Sequence, residues 1–511
     1  MYIDNKILIG KSDKKDLSIL LEKANRHGLI TGASGSGKTV TSKVMAESFS
    51  DAGIPVFLAD VKGDMAGTAI QGEASETLDS RLQKLGITDF EYKSFPVRFW
   101  DIFGRYGHPI RTSLDSVGPE ILSMMLGLSE AQEGVLTVVY KIAKDIGWEL
   151  DDIKDLRLLL QYVGDNREQF VTKYGNVTPQ TVGVIQRCLL ALENQGADKF
   201  FGQPELDIND FITTDANGKG MINILHAVEL FESPDLFASF LLWLLTTLYT
   251  KMPEVGDLDK PKIVFFFDEA HLLFKDIAPY RLKRIVQVVR LIRSRGIGLY
   301  FISQSPADIP TEIIAQLGNR VQHTLRAYTP TELKAVKAAA DSFRTNPEFD
   351  TYDAILNLGT GEALISFQNE NGEPEVVEKA TILPPQSKMG TIDEIARNKI
   401  INSSTILGKY PEEPIERESA YEEIDELNRL IKEKYEADLQ AKAAEKEAEK
   451  QAKLDEKTKK EEERAAEKKK REEERKKKNS IEYKLGRKVF NSASNKVINK
   501  GLNALFKNFF K

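Results

Sequence analysis

Sulfur and histidine are scarce in this sequence. Its 511 residues include one cysteine, Cys188, and five histidines. A single thiol excludes an intrachain disulfide and any cysteine-built zinc site. The histidines do not cluster, which argues against a histidine metal centre. Long apolar runs are missing as well. The longest, Leu236–Tyr249, is broken by polar residues and is shorter than the roughly 18–20 residues of a membrane span. Ser233-Pro234-Asp235 in front of it has the form of a helix start, so the run reads as a buried helix. The first ten residues form a mixed, strand-like run without the basic start and apolar core of a secretory signal. These absences together give the expectation of a cytoplasmic protein.

The 71 Lys+Arg and 78 Asp+Glu leave a formal charge of −7, with 41% apolar and 29% charged residues. That is ordinary soluble composition, enough for two or three domains of roughly 100–200 residues each. The charge is unevenly distributed. Ile431–Ser480 holds 18 basic and 15 acidic residues and almost no large apolar ones. Blocks such as Lys459-Lys460-Glu461-Glu462-Glu463-Arg464 pair opposite charges at helical spacing, which predicts a solvated helical spacer over 415–480. Leu427, Leu430, Ile431 and Tyr435 offer an apolar, coiled-coil-like seam only near its start. Ile481–Lys511 then carries seven Lys/Arg and one Glu. Leu485, Val489, Ala493, Val497, Ile498, Leu502, Leu505 and Phe509 share one helical face there. A basic amphipathic helix of this kind suits a membrane surface, a nucleic acid or a partner protein, or its apolar face packs back on the globular body or on a neighbouring subunit.

Short apolar runs alternating with helical periodicity predict an α/β fold with a mostly parallel sheet. The strand candidates are Gly28–Thr31, Val56–Asp60, Val97–Trp100, Met221–Leu225, Ile263–Asp268, Leu299–Ser303, Arg320–Leu325, Glu362–Ser366 and Val376–Ala380. No convincing strand lies between Ser113 and Phe200, where Ile121, Met124, Met125 and Leu128 recur at helical spacing. The expected organisation is a discontinuous core, 1–112 and 201–395, with an all-helical insertion at 113–200.

Gly32-Ala33-Ser34-Gly35-Ser36-Gly37-Lys38-Thr39 fits the phosphate-loop pattern G-x-x-x-x-G-K-[ST], between a strand and a helix that runs on through Val40. Glycines let the backbone curl so that successive N–H groups face a phosphate, and the helix start adds its positive end. Lys38 would reach the β- and γ-phosphates of ATP, and Thr39 would offer its hydroxyl to Mg²⁺. Downstream, Ile263-Val264-Phe265-Phe266-Phe267-Asp268-Glu269 reads as a strand buried on both faces and ending in two acids, at the sheet edge where α/β proteins bind ligands. Asp268 is the expected metal ligand and Glu269 the general base for water. Leu299–Gln304 is a further buried strand ending in a polar side chain, and Gln304 could sense the γ-phosphate or orient the water. Asp60-Val61-Lys62-Gly63-Asp64 ends the second core strand, either as part of the site or as a simple turn. Arg293, Arg295 and Arg320 are candidates for an arginine finger donated across a subunit interface.

GASGSGKT at Gly32–Thr39, FFFDEAH at Phe265–His271 and SRGIGLYFISQSPADIP at Ser294–Pro310, in this order, resemble the HerA/FtsK superfamily of RecA-like motor ATPases. Asp60–Asp64 and the charged tail resemble the bacterial HerA-like (YjgR-like) group in particular. The resemblance covers about Asn5–Pro385. It implies a homo-oligomeric ring, usually a hexamer, with ATP at the subunit interfaces and double-stranded DNA in the channel. Lys38, Thr39, Asp268, Glu269 and Gln304 carry over by motif; the arginine finger does not carry over cleanly. The sequence departs from archaeal HerA in leaving no room before Gly32 for a β-barrel domain, and its globular part is acidic. An ATPase acting on a protein or a membrane-associated system, or a nucleotide-gated switch, is the alternative expectation.

Overall fold

The computed structural model of the protein describes residues 1–256, 258–274 and 279–475. Each run expected as a strand forms one, and four short or N-terminal strands join them in a 13-stranded sheet. In chain order they are β1 (Tyr2–Ile3), β2 (Lys6–Lys11), β3 (Asp16–Leu20), β4 (Gly28–Thr31), β5 (Val56–Asp60), β6 (Val97–Asp101), β7 (His108–Pro109), β8 (Ile222–His226), β9 (Ile263–Phe267), β10 (Ile297–Ser303), β11 (Asn319–Gln322), β12 (Glu362–Ser366) and β13 (Glu378–Ile382).

Several strand bounds shift by one to three residues from expectation, and two of these shifts have a visible cause. The run expected at Arg320–Leu325 is regular only to Gln322, because Thr324 O turns to accept the N–H of Ala33 in the glycine loop. The last strand begins at Glu378 rather than Val376, because the Val377 N–H is taken by Arg344 O outside the ladder.

The sheet has a parallel centre, β11-β4-β10-β9-β5-β8-β6-β7, and an antiparallel wing in which β12, β13 and β2 follow β11 and β2 also pairs with β1 and β3. From β4 the chain crosses to β5 on one side, and from β10 it steps over β4 to β11 on the other. Neighbouring loops therefore diverge at β4 and β10, which opens a crevice at the carboxyl ends of these strands.

The pleat explains the five-residue apolar run of β9. Phe266 faces the helix α1 (Lys38–Asp51), whose Phe49 packs 6.4 Å from Phe266 and 6.0 Å from Tyr300. Phe265 faces the other layer, where Phe57, Phe211 and Phe240 gather. Phe240 lies on the helix Pro234–Lys251, the buried helix expected from the longest apolar run. With a helix on each face, both sides of the strand must be apolar.

Five helices from Leu114–Met125 to Pro179–Leu192 occupy the stretch without strands. Met1–Leu427 is one compact unit and the chain from Asn428 onward a second. Within the first unit, residues 405–421 form a strap. The Arg98 guanidinium bonds Thr405, Arg111 bonds the carbonyls of Pro411 and Glu412, Arg417 pairs with Asp151, and Ser419 bonds Asp155. The charged spacer is a helix over Ala420–Arg475. The basic amphipathic helix expected at 481–511 lies outside the described residues. Among the described residues no helix is long and apolar enough to cross a membrane.

His27, at positive φ in the turn before β4, knits this centre together. Its Nε2 lies 2.8 Å from Val289 O and its Nδ1 3.1 Å from the Leu299 N–H, which fits a neutral ring donating from Nε2 and accepting at Nδ1. Burial pushes its pKa down to about 4, and His108 and His323 down to similar values. A histidine held neutral stabilises the fold fully above its ordinary 6.5, and that contribution is lost as pH falls through about 4. The melting temperature should therefore drop between pH 6.5 and 4, and His27→Gln, referenced to its own value at neutral pH, should drop less. An equal drop in both proteins would show that His27 is not one of the groups responsible.

Candidate nucleotide site

The glycine loop leaves β4 and enters α1 through three glycines at positive φ: Gly32 at 156°, Gly35 at 75° and Gly37 at 118°. Gly37 is the left-handed cap of α1, so the first N–H groups of the helix open at the end of the glycine loop, while the Ala33 and Ser36 N–H groups bond Thr324 O and Ala33 O. The Lys38 ammonium lies inside the curl, donating to the carbonyls of Gly32 at 2.5 Å and Ala33 at 3.2 Å. Burial and the neighbouring Lys62 push its pKa down, while Asp268 and Glu269 pull it back up.

The loop is braced from behind. His323 Nε2 meets the Thr41 hydroxyl at 2.8 Å and Nδ1 meets Glu362 O at 2.9 Å. Thr31 donates to Gln322 Oε1 at 2.7 Å, and the Gly361 N–H bonds Ser36 O at 3.2 Å. Arg81, on the helix α2 (Glu76–Lys84), secures that last turn by donating to Gly361 O at 3.0 Å. None of Gln322, His323, Gly361 or Arg81 belongs to a sequence motif that would have singled it out.

Parallel register brings the second motif to the same edge. Ser303 of β10 is level with Thr31 of β4, and Phe301 is level with Phe267 of β9. Gln304 thus emerges beside Gly32, on the strand between the loop and the acids, and it is exposed. Asp268, Lys38 and Thr39 line one cleft together with Ser42, Asp60, Lys62 and Asp64. Burial and the adjacent Glu269 push the Asp268 carboxyl up to about 6, against the pull of Lys62 and Lys38. Glu269 has φ +49°, a left-handed conformation that costs a non-glycine residue roughly 1–2 kcal/mol. Its carboxylate is buried, and Oε2 makes no hydrogen bond; His271 Nδ1 lies 3.4 Å away without hydrogen-bond geometry.

Asp60 proves to be a scaffold. Its carboxylate accepts the N–H groups of Gly63 at 2.8 Å, Asp64 at 3.1 Å and Met65 at 3.0 Å, so it folds its own turn. Burial raises its pKa to about 6 despite these bonds. Two of the arginine candidates are also engaged. The Arg295 guanidinium bonds Met252 O and stacks 4.5 Å from the centre of the Tyr249 ring. Arg320 donates to the carbonyls of Leu317, Ser342 and Ile314. Arg293 and Arg295 precede β10, at the sheet edge opposite the glycine loop.

A buried carboxylate oxygen without a hydrogen bond, an acid on the neighbouring residue, a lysine held by two carbonyls of the glycine loop and a threonine at the helix start fit a magnesium–nucleotide. Mg²⁺ is usually held by one or two carboxylates and substrate phosphates rather than by a protein cage. Sheet order and site together define a RecA-like phosphate-loop protein. Residues 5–508 match the family model described as helicase HerA-like C-terminal, and the chain belongs to that family. Two relatives are DNA double-strand break repair helicases HerA. The protein from Sulfolobus acidocaldarius is 24% identical over 370 residues, which is 70% of this chain and 66% of that protein. The one from Sulfurisphaera tokodaii is 22% identical over 374 residues, 71% of this chain and 67% of that protein. The chain therefore spans about two thirds of the length of these relatives. Among solved structures, the bacterial conjugative coupling protein TrwBdeltaN70 aligns over 73% of this chain and 90% of its own, at 13% identity and a TM-score of 0.48.

The loop geometry separates two glycine substitutions. A Cβ on Gly32 would lie 2.5 Å from His323 Cβ and 2.6 Å from Ser36 Oγ, whereas one on Gly35 would meet nothing within 4 Å. Gly35→Ala should cost about 1 kcal/mol, from its positive φ alone. Gly32→Ala should cost more, by roughly 1–3 kcal/mol of overpacking. Denaturant unfolding of the two variants measures the difference, and equal costs would contradict the brace.

Proposed function

We propose that the protein is an oligomeric, Mg²⁺-dependent ATPase motor that moves along double-stranded DNA. The observation that carries this reading is the shared sheet edge, where the glycine loop, Lys38 and Thr39 face Asp268 and Glu269 with Gln304 between them. The names of the helicase relatives supply the link to DNA.

In this reading the loop amides of Gly32 to Val40 and the Lys38 ammonium hold the phosphates. The Thr39 hydroxyl and Asp268 would hold Mg²⁺, and Gln304 would report on the γ-phosphate. Bound Mg·ATP supplies the γ-phosphoryl group and the charge that neutralises its oxygens. Glu269 positions the attacking water and takes its proton. The strained Glu269 backbone and the free Oε2 hold that carboxylate ready without a competing hydrogen bond. An arginine from a neighbouring subunit completes the site in a hexameric ring. Arg295 and Arg320 hold main-chain carbonyls of their own chain, so we assign the finger to neither.

Lys38→Ala and Glu269→Gln should each lower steady-state ATP turnover by at least ~100-fold, and Glu269→Gln should still bind ATP. Duplex DNA should raise the wild-type rate, with an effect that falls steeply as salt increases. Undiminished hydrolysis by purified Glu269→Gln would refute the base. A rate indifferent to DNA, together with liposome binding that disappears when 481–511 is removed, would move the proposal to a membrane-associated system.

A further inference from the structure

The cleft contains a second lysine that the motif-based assignment leaves without a task. Lys62 lies in the turn after β5, and β5 pairs in parallel with the acid strand β9, from Val56 opposite Val264 to Leu58 opposite Phe266. Its turn therefore stands over the same sheet edge as Asp268. The cleft is lined by Lys38, Thr39, Asp268 and Lys62 together.

The turn is built to hold its shape. Three consecutive backbone N–H groups close on the buried Asp60 carboxylate, and Gly63 takes φ +74° to allow it. A bare strand-end turn would leave that carboxylate in water. Here burial of the acid costs free energy that the three hydrogen bonds offset, and the outcome is a fixed platform under one exposed lysine. Asp64, on the same platform, lines the cleft as well and is one of the acids that raise the pKa of the buried Lys43 of α1 against the effect of its burial. Lys62 is the foremost charged neighbour of Lys38, and among the cations near Asp268 it weighs more than Lys38.

Two ammonium groups facing one small cleft repel each other; Asp60, Asp64 and Asp268 line the same cleft, but the Asp60 carboxylate is committed to its own turn, and among the described residues no carboxylate forms an ion pair with either lysine, so these acids alone do not explain why both are there. A polyphosphate does. Lys38 approaches it from the loop, within the glycine curl, and Lys62 approaches from the β5 side, next to the metal-binding acid. The phosphate nearest the acids is the terminal one, because the loop amides enclose the inner phosphates at the start of α1.

We propose that Lys62 is a second phosphate-contacting cation, which binds the γ-phosphate of ATP from the β5 side and so distinguishes ATP from ADP. The proposal rests on the nucleotide reading of the cleft. It gives the turn a role in the nucleotide cycle: after hydrolysis and phosphate loss, Lys62 loses its ligand while Lys38 and the loop keep theirs.

The test uses the full chain, with Mg²⁺ and either the non-hydrolysable β,γ-imido analogue of ATP or ADP, and titration calorimetry of four proteins: wild type, Lys62→Ala, Lys62→Arg and Lys38→Ala. Lys62→Ala should weaken the ATP analogue by about 10–100-fold, the worth of one charge-assisted contact, and change ADP affinity less than about 3-fold. Lys62→Arg should restore most of the preference. Lys62 is exposed, so the fold should be unaffected, and the circular dichroism spectrum checks this. An unchanged ratio of the two affinities in Lys62→Ala, whether both fall or neither does, overturns the proposal while wild type still binds and Lys38→Ala does not. A wild-type protein that binds neither nucleotide, or a Lys38→Ala protein that binds both as well as wild type, overturns the nucleotide reading itself.

Discussion

Parallel hydrogen bonding among β4, β10, β9 and β5 brings the ends of four strands, far apart in sequence, to one edge of the sheet. The rest of the site follows from that register. A shift of one residue between β10 and β9 would turn Phe266 toward the wrong helix layer and carry Asp268 away from the glycine loop. The apolar run of β9 therefore has two duties. It fills both faces of the sheet, and by fixing the register it sets the height of the acid pair against Thr31 and Gly32. Packing energy of this kind, roughly 25 cal/mol for each Å² of apolar surface buried, is what keeps costly polar groups together at the edge.

Those costs are visible residue by residue. Asp60 and Asp268 are buried enough for their carboxyls to be pushed up to about 6, and Lys38 is pushed down beside another lysine. Glu269 sits in a left-handed conformation with an oxygen that makes no hydrogen bond. By contrast, the polar groups behind the loop are satisfied: Thr31, Gln322, Thr41 and His323 form bonded pairs. At the site, Glu269 thus carries backbone strain and an unmet oxygen on the face that would meet a ligand, while these four side chains behind the loop are bonded to one another. The same division appears at α1, where buried Glu47 accepts the N–H groups of Gln386 and Ser387, and Lys43 donates to Lys388 O. These bonds tie the helix that begins at the loop to the chain beyond β13.

Local pattern made much of this legible. The glycine loop announces itself because curling the backbone needs glycines at fixed spacing, and β9 and β10 do so because a strand covered on both sides must be uninterrupted apolar sequence. The buried helix Pro234–Lys251 and the charged helix Ala420–Arg475 were readable from periodicity and composition. Strand order was not readable, since pairing is decided by contacts across the chain. For the same reason the brace of Gln322, His323, Gly361 and Arg81 left no trace: each is a single residue whose partner lies tens or hundreds of positions away. Asp60 shows the limit within a recognised segment. Sequence left it open whether the run Asp60–Asp64 serves the site or only turns the chain; in the structure Asp60 folds the turn, and Asp60, Lys62 and Asp64 all line the cleft. Arg295 and Arg320 show the converse, since an arginine near a motif looks available until its guanidinium is seen to hold backbone carbonyls.

The most direct test of the account is an experimental structure of the full chain with Mg²⁺ and the β,γ-imido analogue of ATP. The account places the β- and γ-phosphates within the loop amides of Gly32–Thr39, and the metal between the Thr39 hydroxyl and Asp268. Density for the nucleotide elsewhere on the molecule, or a metal bound without Asp268 or Thr39 nearby, would contradict it.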